Sequence, residues 1–122
     1  EASWSGRQKL VRGTLTSAQV VSATWTGTGF QLGSVTASQR VYAALHVLSV
    51  AGTTPSITVK IQSDNNSNFN SPTDVITFNA VTAHGGQFLS AAGSITDDWW
   101  RASWTVTGTT PGFAVRTIIG IA

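Results

Sequence analysis

Asp64, Asn66 and Asn68 stand at alternate positions in SDNNSNFNSP (63–72), a spacing that offers side-chain oxygens to a calcium ion. The loop chemistry then departs from the pattern. An EF-hand-type loop needs Gly at its sixth position and a bidentate acid at its twelfth, and those positions hold Phe69 and Val75. Asn-rich segments of this kind are ordinarily turns in which Asn bonds its own backbone. We expect no metal and no cofactor. His84-Gly85-Gly86 has the look of oxyanion-hole glycines, yet the chain contains no G-x-S-x-G nucleophile elbow to use one. His46 lies inside an apolar run, where a hydrogen-bonded structural histidine is expected. The adjacent carboxylates Asp97 and Asp98 would point to opposite sides of an extended chain and could not flank one substrate. We therefore expect a protein that is not an enzyme.

The segment DDWWRASW (97–104) is the most distinctive in the chain. If Trp100 and Trp104 fill a core, Trp99 and Arg101 are left on the outer side, where a Trp beside an Arg suits a protein interface or a sugar-stacking platform. The plainer alternative packs Trp99 under a loop and pairs Arg101 with Asp97 or Asp98. A second candidate region is the N-terminal arm, residues 1–16, where Arg7, Lys9 and Arg12 are opposed only by Glu1. Three cations without interleaved aromatics make a weak nucleic-acid footprint. A tether meeting an acidic protein neighbour is the simpler account, so no nucleic-acid partner is expected.

The elements that must position these residues are strands. Charged residues are 10% of the 122, against roughly 25% in an average soluble domain, while five Trp and five Phe supply a core. Cys and Met are absent, which removes disulfides, thiolate metal sites and a cysteine nucleophile. No apolar run approaches the roughly 20 residues of a membrane span, and no membrane partner is expected. Ile57, Val59 and Ile61 alternate with Thr58, Lys60 and Gln62, the period of a strand with one wet face. Phe113, Val115, Thr117, Ile119 and Ile121 share a face in the same way, as do Trp100, Ala102, Trp104 and Val106. VYAALHVLSV (41–50) is apolar on both faces, and its Val content argues for a central strand. Further strands are expected near 18–25, 74–81 and 86–92, with a short one near 29–34. The near-identical GTTPSITV (52–59) and GTTPGFAV (108–115) combine Gly and Pro as turn signals, which predicts one hairpin used twice, by duplication or by convergence on a good turn. The expected fold is all-β: a two-sheet antiparallel β-sandwich, jelly-roll-like, of about eight strands over residues 17–122.

Taken together, IQSDNNSNFNSPTDVITF (61–78), GSITDDWWRASWTVTGTTPGF (93–113) and the terminal GIA resemble structural proteins of tailed bacteriophages and prophages. The resemblance spans residues 29–122 and leaves the basic arm outside. It implies a virion β-sandwich whose matched positions are strand and turn residues, not catalytic ones. The function so implied is a non-enzymatic capsid decoration (cement) protein that stabilises the head, located in the virion, with the major capsid protein and other copies of itself as partners. A homotrimer is expected, with the arm as the anchoring or strand-exchange segment. The alternative is a receptor- or carbohydrate-binding domain of a tail or head fibre, with a surface glycan as partner. A glycan-active enzyme domain is disfavoured by the shortage of carboxylates.

Overall fold

The structure, a computed structural model, describes residues 13–122. The described residues form seven strands and no helix: β1 (Thr14–Val21), β2 (Trp25–Thr26), β3 (Phe30–Gln31), β4 (Arg40–Asp64), β5 (Thr73–Thr77), β6 (Gly85–Ala92) and β7 (Trp99–Ile121). Every pairing between them is antiparallel.

The GTTP segments do not make hairpins. The chain runs straight through both, giving strands of 25 residues in β4 and 23 in β7 that pair along their whole length, from Val41↔Ile121 to Asp64↔Trp99. The two segments meet each other, with Ala51 opposite Gly112, Thr53 opposite Thr109 and Ser56 opposite Thr107. The turn chemistry is present but is used differently. Gly52 and Gly108 take φ of +108° and +116°, and Thr54 and Thr110 take +48° and +46°. Each segment therefore places two left-handed residues within one strand, and these bulge the strand without reversing it. Pro55 falls in the interval between Thr53 and Ser56 where the register shifts, so its missing N–H interrupts a ladder already broken there. A Cβ on Gly52 would lie 2.7 Å from the Thr110 carbonyl oxygen and 2.9 Å from Pro111 Cα. One on Gly108 would lie 2.9 Å from both Pro55 Cα and the Thr54 carbonyl oxygen. The sequence echo is thus a local two-fold in which each Gly admits the other segment's Pro.

Around this crossing the ribbon gains a strand on each side of each half. β6 pairs with the first half of β4, from Arg40↔Ala92 to Val47↔Gly85, and β1 pairs with the second half of β7, from Thr14↔Ile119 to Val21↔Phe113. β5 flanks the second half of β4, while β2 and β3 flank the first half of β7. Inward residues from both halves belong to one core: Val41, Ala43, Leu45, Val47, Phe113 and Val115 from the first, and Ile57, Val59, Ile61, Trp100 and Trp104 from the second. The antiparallel sheet must therefore curl so that its two ends face each other.

The faces follow the expected alternation. Trp100, Ala102 and Trp104 are buried while Trp99, Arg101 and Ser103 are half-buried on the other side. Trp100 Nε1 donates to the Gly33 carbonyl at 2.8 Å, so its polar edge is satisfied. Thr117, on an otherwise apolar face, is buried against Thr16, with the two hydroxyls 2.9 Å apart. That pair ties β1 to β7 at Thr16, inside the segment expected to be arm. The strand expected over 18–25 is divided, because the chain leaves β1 after Val21 and rejoins β7 at Trp25. His46 is exposed on the outer face of β4 beside Gly86 and Arg116, not buried.

Two outcomes follow for stability. Trp100→Ala and Trp104→Ala should each cost about 3–5 kcal/mol, and Trp99→Ala much less, as read by chemical denaturation. Gly33 also has positive φ (+100°) but open space around its missing Cβ. Gly33→Ala should therefore cost only the backbone strain, about 1–2 kcal/mol. Gly52→Ala and Gly108→Ala add a backbone collision to that strain and should cost clearly more, by the same measurement.

Candidate functional site

The corner where β3, β4 and β7 meet gathers most of the polar side chains singled out by sequence. Trp99 sits between Gln31 and Asp64 in the sheet register, and Arg101 lies opposite Gln62. Arg101 Nε donates to Gln62 Oε1 at 2.9 Å, and the guanidinium carbon lies 4.3 Å from the centre of the Phe69 ring. Burial pulls the guanidinium below its ordinary pKa, and the nearby Asp64 carboxylate partly offsets that; it remains a cation at neutral pH. Asp97 and Asp98 have other partners: Asp97 accepts from Ser63 Oγ at 2.8 Å and Asp98 from Gln31 Nε2 at 2.7 Å.

Asp64, the first residue of the calcium-like pattern, is 4% exposed. Its carboxylate accepts from the Asn65 N–H at 2.7 Å and the Ser71 N–H at 2.9 Å. Asn66 Oδ1 accepts from the Asn68 N–H at 2.8 Å. The Asp64 and Asn66 oxygens that could have faced a cation are therefore turned onto the loop's own backbone, and Phe69 within it is buried with φ of +49°. Among the described residues no group of three or more His, Asp or Glu gathers as a metal site would require. Asp64, Gln62, Arg101 and Phe69 act as a clasp that closes the 65–71 loop over the end of the sheet. Arg7, Lys9 and Arg12 lie outside the described residues.

Two features that the sequence left unmarked are more open to a partner. The first is the outer face of the sheet half formed by β6, β4, β7 and β1. The register sets Phe88, Ala44, Ile118 and Leu15 in one row across all four strands, with Phe88 61% and Leu15 51% exposed. Tyr42 stacks on Phe88 with ring centroids 5.9 Å apart. The next row carries His46 and Arg116, and Arg40 donates to Ser90 Oγ at 3.1 Å beyond Tyr42. No acidic residue stands on this face among the described residues. The second feature is a cleft of about 230 Å³ between the end of β1 and β2, lined by Gln19, Val21, Ser22, Trp25 and Trp104. Trp25 stands 71% exposed at its lip. The small-residue run Ser22-Ala23-Thr24 was the available sign that the chain breaks there and lifts Trp25 away from β1.

Comparison with known proteins yields no matching family model and no matching curated relative. Functional assignment therefore rests on the surfaces themselves.

Lys60 and Asp74 form an ion pair at 2.9 Å, with both side chains more than a third exposed. Hydrogen bonds from Lys60 and then Gln62 hold the Asp74 carboxyl below its ordinary value of 3.8. A depressed folded-state pKa stabilises above the unfolded value, and that stabilisation is lost as pH falls through the lower folded value. Solvent screening keeps the pair to about 0–1 kcal/mol. Asp74→Asn should therefore flatten the acid limb of a stability-versus-pH curve below 3.8 while changing the neutral-pH melting temperature only slightly.

Proposed function

We propose that the chain is a non-enzymatic structural protein of a tailed-bacteriophage particle, a decoration (cement) protein seated on the outside of the head. The observation that carries this reading is the apolar row Phe88, Ala44, Ile118 and Leu15, with Phe88 and Leu15 exposed at its two ends, on a face whose neighbouring charges are basic. An apolar strip continuous across four strands is the surface of an assembly contact. Its charges select the partner: a second copy would bring the Arg40 and Arg116 face against a face of the same sign, whereas an acidic surface of a different protein complements it. A capsid shell that presents such a surface in many copies fits that requirement, and the sequence resemblance to virion proteins points the same way. In this reading the curled sheet is a jelly-roll-like sandwich of two four-stranded faces. One face is applied to the head, and the basic arm joins neighbouring copies into a trimer.

A reconstruction of the particle from the phage that encodes the chain tests the placement. The domain is expected on the head exterior with Phe88 toward the capsid. Phe88→Glu should strip it from the head while costing the isolated protein no more than about 1–2 kcal/mol, chiefly the lost stack on Tyr42. Absence of the domain from the head, or full occupancy by the variant, would overturn the reading. For the arm, the informative deletion is residues 1–12, because Thr14 and Thr16 belong to the sheet. The deletion should convert a trimer to smaller species in sedimentation, and unchanged sedimentation would separate the arm from assembly.

A further inference from the structure

The cleft at the β1 end is built differently from the apolar face. Trp104 is 2% exposed, and its indole N–H is a buried donor with no acceptor among the described residues. With no accessible surface, that N–H is out of reach of anything in the cleft, and Trp104 serves the cleft as apolar wall. Trp104 contributes to the cleft wall, and the residue directly across the sheet from it is Trp25. Opposite residues of an antiparallel pair project to the same side, so the two indoles share the inward face. One is buried at the base and the other stands at the lip. The lip is rigid. Thr24 Oγ1 accepts from the Val106 N–H at 3.0 Å, and the Gly27 N–H donates to the Ala102 carbonyl at 2.7 Å, so the backbone on both sides of Trp25 is tied to β7. The wall adds the polar side chains of Gln19 and Ser22 and carries no charge.

We propose that this cleft binds a neutral sugar ring, stacked on Trp25 with Trp104 as an apolar wall beside it. The negative π face of an indole attracts the slightly positive C–H groups of a pyranose. Gln19 and Ser22 offer donors and acceptors to ring hydroxyls. A cleft of about 230 Å³ accommodates one ring, with the chain continuing past the exposed lip. An uncharged lining provides no partner for a carboxylate or an amine, which excludes acidic and basic sugars as the preferred class. The site lies apart from the Phe88 face and does not depend on the particle reading: Trp25→Ala leaves that face intact, and Phe88→Glu leaves the cleft intact.

The test is a titration of the full-length, ¹⁵N-labelled protein with maltose, cellobiose, lactose, N,N′-diacetylchitobiose and, as the charged comparison, digalacturonate. The chain has five Trp and so five indole N–H signals. At least one neutral disaccharide should move those of Trp25 and Trp104 and leave that of Trp100, which already donates to Gly33, in place. Trp25→Ala should weaken that binding about tenfold or more, and Gln19→Ala should weaken it while preserving the rest of the spectrum. The proposal fails if no neutral disaccharide moves these signals, if digalacturonate alone does, or if Trp25→Ala binds unchanged. It also fails if deleting residues 1–12 shifts the Trp104 signal with no sugar present, because the chain's own N-terminal segment would then fill the cleft.

Discussion

Everything in this fold is arranged around the crossing where Gly52 meets Pro111 and Gly108 meets Pro55. Each Gly lacks a Cβ at the point where the other segment's Pro and carbonyl oxygens come within about 3 Å of where that atom would be. A larger residue at either position would push the two strands apart at their midpoints. Because they do stay paired, one ribbon spans both ends of the sheet, and each end needs only one flanking strand on either side to complete its width. The curl and the shared core of Leu45 with Trp100 and Trp104 depend on that continuity. The left-handed Thr54 and Thr110 are the conformational cost, since β-branched residues seldom adopt positive φ.

Much of the local structure was legible in the sequence because strand faces are written with a period of two. Trp100 with Ala102 and Trp104, Ile57 with Val59 and Ile61, and Phe113 with Val115 all fall on the expected inward side. The GTTP segments were not legible, for a specific reason. Gly and Pro signal a left-handed bend, but whether that bend reverses the chain or only bulges it depends on what lies across the ladder. Here each copy lies across from the other. Residues 56 positions apart in the chain decide each other's conformation, and no local window contains both.

The polar corner divides along similar lines. The sequence drew attention to Asp64, Trp99 and Arg101, and the structure joins Asp64 and Arg101 with Gln62 and Phe69 into a closed clasp, with Trp99 opposite Asp64 in the register. Residues with conspicuous chemistry can thus be committed to holding a loop. The surfaces left open come instead from residues that looked ordinary. Phe88, Ala44, Ile118 and Leu15 come from four separate strands, and only the register aligns them. Trp25 read as the last residue of a strand, and it is the break after Val21 that places it at the lip of a cleft. His46 looked buried because its neighbours are apolar on both sides, but the outer face of that strand is itself apolar and open.

The ribbon also fixes the order in which the molecule can come into being. Its strands are separated by all the residues between Asp64 and Trp99, and the core draws on both. While the chain is being synthesised, β4 has its long strand complete but lacks the partner that covers one of its edges, and neither tryptophan at the base of the core has yet been made. Non-local pairing of this kind makes folding slow, and an unpaired strand of 25 residues is an open template for other chains in the interval. The core therefore cannot close before residues beyond 99 are available, while β5 and β6 are already tethered beside the strand they will flank. The low charge of the finished surface gives little electrostatic protection during that wait, so yield in a cell would depend on how quickly β7 follows β4 out of the ribosome.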